Sequence, residues 1–94
     1  MKEWVDHWTR TRDAVFELTK TFDEDEQWKF SKLLEWLNAN DYLTACGEPY
    51  ITTRGVASLV SSTFWYVRDT LELGDEGADY IKYSFVNQHG EFTF

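Results

Sequence analysis

A single cysteine, a single proline and only two histidines among 94 residues remove several possibilities at the outset. Cys46 has no partner for an intrachain disulfide, so a reducing compartment is the expected setting. With no second ligand at a metal-binding spacing, it reads as a small buried thiol. His7 and His89 are far apart in the chain, and neither belongs to a metal-ligand pattern; no metal and no cofactor are expected. Five glycines and one proline, dispersed, mark no linker, repeat or low-complexity segment, so residues 1–94 are expected to form a single compact domain. No segment approaches the roughly eighteen apolar residues of a membrane span. The amino terminus, MKEWVDHWTR, lacks the apolar run of a signal peptide, so a cytoplasmic location is expected. Glycine-rich phosphate loops, Gly-x-Ser-x-Gly and His-Glu-x-x-His are all missing, which makes an enzyme the least favoured class.

Basic residues are scarce as well. Nine Lys and Arg face seventeen Asp and Glu, for a formal charge of −8 and a pI near 4.5. This is the reverse of the electrostatic footprint of a protein that grips phosphates, so direct binding of nucleic acid or anionic lipid is not expected. An acidic surface suits basic partners, including proteins that themselves hold nucleic acid; its minimal role is solubility.

Aromatic residues are abundant: five Trp, five Tyr and seven Phe. A chain of this size buries only about 60 to 65% of its unfolded surface, so some rings must remain outside, where Trp and Tyr favour interfaces.

The most regular stretch is Ile51 to Leu73. Val56, Leu59, Val60, Phe64, Val67 and Leu71 recur at three-and-four spacing and predict a central helix from Thr53 to Leu71, roughly 28 Å long. A first helix is expected from about Lys2 to Lys20, burying Trp4, Trp8, Thr11, Val15 and Leu18, with His7 on its solvated side. A second, from about Glu24 to Asn38, buries Phe30, Leu33, Leu34 and Leu37. Asp23, Glu24, Asp25 and Glu26 precede or open it, either as a capping box and dipole complement or as a negative patch for a basic partner; the two roles are compatible. On this helix Trp28 points away from Phe30, which makes it either an exposed anchor or a ring folded back beneath neighbouring chain. Trp65 lies off the central stripe and is either covered by a C-terminal hairpin or part of an aromatic surface with Trp28 or Trp36.

Asp69, Glu72, Asp75, Glu76 and Asp79 form a second acidic cluster around Gly74 and Gly77, read as a solvated connector because the spacing does not match a calcium loop. Ile81, Tyr83 and Phe85 alternate, and NQHG followed by EFTF completes the pattern of a two-stranded antiparallel hairpin. The expected fold is thus α+β: a three-helix core followed by a C-terminal antiparallel β-hairpin.

The segment FSKLLEWLNANDYLTACGEPYITTRGVASLV loosely resembles the latter half of winged-helix domains, with its Leu-Thr step, small wing and Thr-x-x-Gly-x-x-x-Leu helix start. The resemblance covers about thirty residues and implies a winged-helix-like variant of the fold and a transcriptional regulator or DNA-binding factor. In such a protein the helix before the wing carries several basic residues. Here it offers Lys29 and Lys32 against Glu24, Asp25, Glu26 and Glu35, so protein binding remains the expectation.

In size and charge the chain resembles phage-encoded antagonists of host defence, including anti-CRISPR and DNA-mimic proteins. That analogy implies an inhibitor occupying a basic, nucleic-acid-binding site on a larger protein, with both acidic clusters replacing phosphates and Trp28 or Trp65 as anchor. An antitoxin or assembly subunit is the other alternative.

Overall fold

The strongest periodic signal becomes the centre of the molecule. In the computed structural model, which describes residues 6–92, helix α3 (Thr53–Trp65) contacts helices α1 (His7–Thr19), α2 (Phe30–Ala39) and α4 (Gly74–Lys82). Val56, Leu59, Val60 and Thr63 form its buried stripe. The three apolar members join Val15, Phe16, Phe30, Leu33, Leu37, Val67, Ile81 and Phe85 in one core. Each such apolar side chain contributes roughly 1.5 to 3 kcal/mol on burial. Thr52 starts the helix by accepting a hydrogen bond from the Gly55 N–H at 3.2 Å, as an N-cap should.

Beyond Trp65 the winding loosens. Residues Tyr66–Thr70 form a π-helical turn, closed by the Leu71 N–H donating to the Tyr66 carbonyl at 2.9 Å. The wider turn leaves the adjacent Tyr66 and Val67 both inside. Tyr66 then reaches α1, where its hydroxyl donates to Asp13 Oδ1 at 2.5 Å and the Arg12 guanidinium lies 4.2 Å over its ring.

Helix α1 begins at His7, and the part of the first helix expected over residues 2–5 lies outside the described residues. Asp6 caps it, accepting from the Thr9 N–H at 2.9 Å and the Thr9 hydroxyl at 2.6 Å; these bonds lower the Asp6 carboxyl pKa. Trp4 lies outside the described residues. His7 is half-buried rather than solvated, with Nδ1 unpartnered among the described residues. Cys46, expected inside, is exposed.

Helix α2 begins later than expected, at Phe30 rather than Glu24, because Trp28–Lys29 form strand β1. Its end is a Schellman motif: the Tyr42 N–H donates to the Leu37 carbonyl, the Asp41 N–H donates to the Asn38 carbonyl, and Asp41 takes φ 57°. Asn38 then holds the returning chain with both halves of its amide, donating to the Tyr50 carbonyl at 2.8 Å and accepting from the Tyr50 N–H at 3.0 Å. Residues 42–50 contain no strand, so the small wing of the winged-helix pattern is not formed.

The carboxy-terminal expectation is corrected most. There are four α-helices among the described residues, and the sheet is a two-residue parallel pair, not an antiparallel hairpin. Strand β2 (Phe85–Val86) lies beside β1 with Trp28 opposite Phe85 and Lys29 opposite Val86. The NQHG turn does form, with the Asn87 N–H donating to the Glu91 carbonyl at 2.8 Å. Its leading strand is drawn inward instead, because Phe85 and Val86 are both buried core residues. Ile81, read as a strand position, belongs to α4 with Gly77 and Ala78 on the buried face. Asp75 and Glu76 in the first turn complement the helix dipole.

Gly77 is a packing residue and not a loop marker. A Cβ there would sit 2.5 Å from Leu73 Cβ and 3.2 Å from Val67 Cγ1. Gly77→Ala therefore should destabilise the domain by about 1 to 3 kcal/mol in urea denaturation, although alanine is the better helix former. An unchanged or raised midpoint would contradict that packing.

Two buried phenols add a pH prediction. Burial first, and then the hydrogen bond to Asp13, push the Tyr66 pKa from 10.0 up to about 12; burial alone does the same for Tyr50. Between these values the unfolded chain binds fewer protons than the folded one, so stability falls as pH rises. Urea midpoints should hold up to about pH 10 and decline toward 12, with Tyr66→Phe flattening the decline.

Candidate functional site

Two acidic segments far apart in sequence meet at one groove of about 420 Å³. One wall is the turn after α1, carrying Phe22, Asp23, Glu24 and Glu26; the other is the outer face of α4, carrying Glu76, Asp79, Tyr80 and Tyr83. Thr19 and Ser84 complete the lining, in which there is no basic side chain.

The first wall is a hydrogen-bonded turn rather than the start of a helix. The Glu26 N–H donates to the Asp23 carbonyl at 3.0 Å, while the Asp23 N–H donates back to Glu26 Oε1 at 3.3 Å. The second bond is the one that closes a capping box, made here without the helix to cap. The other carboxylate oxygen, Oε2, accepts from Trp28 Nε1 at 3.0 Å. Glu26 is thereby fixed at the rim.

Trp28 is consequently half-buried, not a freely exposed anchor. Its ring packs 5.0 Å from Phe22 with the Lys32 ammonium 4.5 Å over the ring centroid, and Phe22 meets Phe85 at 5.9 Å. The anchoring ring thus ties the acidic turn to the core. The indole N–H thus finds its partner in Glu26, folded back where residues 26–28 are not helical.

The opposite wall follows from the period of α4. Glu76, Asp79, Tyr80 and Tyr83 recur at three-and-four spacing on the side away from buried Ala78 and Ile81. Tyr80 and Tyr83 are about half exposed, 51% each. Phe16 supports Tyr80 edge-on at 6.2 Å, while Tyr83 is braced by Phe92 at 5.4 Å and carries the Lys82 ammonium 5.3 Å over its ring. Ser84 closes the end: its hydroxyl donates to the Tyr80 carbonyl and its own carbonyl accepts from the Trp28 N–H at 2.8 Å.

The remaining acids lie elsewhere. Asp25 is exposed on the turn without lining the groove. Asp69 and Asp75 both approach Arg68, at 3.8 and 2.9 Å, so part of the second cluster is locally neutralised. Glu72 is exposed in the left-handed conformation, φ 57°, at the end of the π-helical turn. Trp65 is 50% exposed, edge-on to Phe64 at 5.1 Å and beneath Arg68 at 5.2 Å; it makes no ring contact with Trp28 or Trp36 among the described residues. Trp36 stacks on Tyr42 instead, at 5.2 Å.

Phe22, Tyr80 and Tyr83 were not singled out as site residues by sequence reasoning. Reading residues 74–82 as a helix capped by Tyr83 would have found the last two, since they continue its acidic face; Phe22 has no such signal. Among the described residues no group of three or more His, Cys, Asp or Glu is arranged to hold a metal ion. No helix among them is long and apolar enough to cross a membrane. No family model, curated protein or solved structure matches the chain.

The two tryptophans should separate on mutation. Trp28→Ala loses ring packing and the Glu26 bond and is expected to cost about 2 to 4 kcal/mol in thermal or urea unfolding, whereas Trp65→Ala should cost under about 1 kcal/mol.

Proposed function

We propose that this domain is a non-enzymatic protein-interaction module that occupies a basic, nucleic-acid-binding site on a larger protein, in the manner of phage-type DNA-mimic and anti-CRISPR antagonists. One observation carries the reading: Asp23, Glu24, Glu26, Glu76 and Asp79 converge on a single groove whose lining holds no compensating base. Unpaired carboxylates close together repel one another, and that repulsion is relieved when lysine or arginine side chains enter.

The groove also has what a run of surface acids lacks. The half-exposed rings of Tyr80 and Tyr83 and the edge of Phe22 offer apolar area to the aliphatic stems of Arg and Lys, and Tyr80 offers a ring face to their charged ends. Such a surface complements the residues with which a protein holds a phosphate backbone. Neither nucleic acid nor membrane enters the proposal as a direct partner. Trp65 is a peripheral contact at most, while Trp28 acts by holding Glu26 in place.

The first experiment is affinity capture from lysate of the native or host cell at low and high salt, with the retained proteins identified by mass spectrometry. A nucleic-acid-handling protein is expected at low salt and is lost at high salt or on adding excess DNA. With that partner purified, the combined change Asp23→Lys, Glu24→Lys, Glu76→Lys, Asp79→Lys should weaken binding by at least about a hundredfold. The off-groove pair Asp69→Lys, Asp75→Lys should change it by less than about threefold. Equal losses from both sets would reduce the groove to bulk charge, and no loss from either would end the mimic reading.

A further inference from the structure

The chain's few bases are distributed in a way that its net charge conceals. Six of the described Lys and Arg side chains, Arg10, Arg12, Lys20, Lys32, Arg68 and Lys82, lie over aromatic rings. Lys29 and Arg54 are the two that do not, and among the described residues neither has an ion-pair partner. Both line a second cavity, of about 500 Å³, together with His89. They arrive from three separate places: Lys29 from β1, Arg54 from the first turn of α3, and His89 from the turn after β2. No Asp or Glu lines the cavity, although acids outnumber bases nearly two to one in the chain.

We infer that this cavity binds the phosphate group of a small phosphomonoester. Arg54 can meet a phosphate with paired N–H donors, and Lys29 adds a mobile ammonium charge. Ser31, on the lining, offers a hydroxyl. Helices α2 and α3 both begin at the cavity, without an acid in either first turn, and α2 has no side-chain cap; their N-terminal dipoles favour the same ligand charge. The His89 turn is held in position by Asn87 Oδ1, which accepts from the His89 and Glu91 N–H groups at 2.9 and 3.0 Å. Phe30 and Ala57 give the organic part of the ligand an apolar wall. The volume lies within the range of small-molecule sites. The chain's net charge of −8 repels an extended polyanion far more than it repels one compact dianion, which selects the monoester over a nucleic-acid backbone.

The test is an amide-resolved NMR titration of the full chain with inorganic phosphate and then a nucleoside monophosphate, against chloride at matched ionic strength. Saturable shifts should concentrate at residues 29–31, 53–57 and 87–89. Arg54→Gln and Lys29→Gln should each weaken binding about tenfold, while Arg68→Gln, off the cavity, leaves it unchanged. Shifts that never saturate, or shifts retained in the Arg54→Gln/Lys29→Gln double variant, would overturn the assignment. The unperturbed spectrum of each variant elsewhere in the chain reports that its fold is intact.

Discussion

The packing of the first turn of α4, around Gly77, against its own N-cap Leu73 and against Val67 of the π-helical turn is the contact on which the surface of this domain depends. A methyl group on residue 77 would collide with Leu73, at 2.5 Å, and crowd Val67, at 3.2 Å. With that contact made, Ala78 and Ile81 enter the core and the opposite side of α4 must face outward, carrying Glu76, Asp79, Tyr80 and Tyr83. The acidic turn after α1 lies across from them because Trp28 binds Glu26 while its backbone joins the chain at Ser84. The groove is therefore a product of core packing, although of its lining only Thr19 and Ser84 are themselves buried.

Charge is sorted by the same framework. Acids gather where two segments converge, the described bases lie mostly on rings, and the two of them without rings meet at a separate cavity. Arg68 shows how finely this is divided: it takes Asp69 and Asp75 out of an acidic run and leaves Glu76 and Asp79 to the groove. Aromatic rings serve as partners for cations here in addition to filling the interior, which accounts for part of their abundance in so short a chain.

Much of the core was legible in the sequence. The stripe Val56, Leu59, Val60 and Val67 is buried as its spacing requires, and Phe30, Leu33 and Leu37 likewise follow their period. Helix starts were less so. Trp28 and Lys29 fit a helical wheel, yet a tertiary interaction, pairing with Phe85 and Val86, overrides local propensity there. The region from Gly74 to Tyr83 misled because two glycines and three acids resemble a loop in composition, while Ile81, Tyr83 and Phe85 mimic strand alternation. Gly77 can be recognised as a packing glycine only when its neighbours Val67 and Leu73 are in place. For the site, the acidic clusters were visible, but their meeting depends on a contact between residues some fifty positions apart, about which periodicity is silent.

The parallel pair also bears on how the chain is made. Its halves, Trp28–Lys29 and Phe85–Val86, are separated by nearly the whole of the helical core, and Phe85 is fully enclosed within that core. During synthesis α1, α2 and α3 emerge first and can collapse together, leaving Phe22 without the ring of Phe85 and Trp28 without its strand partner. The acidic turn has its local bonds early, but the opposite wall and the Ser84 and Phe85 contacts form only once those residues have cleared the ribosome, so the groove follows the helical core. A nascent chain short of that point would display an apolar gap where the finished protein displays its acids.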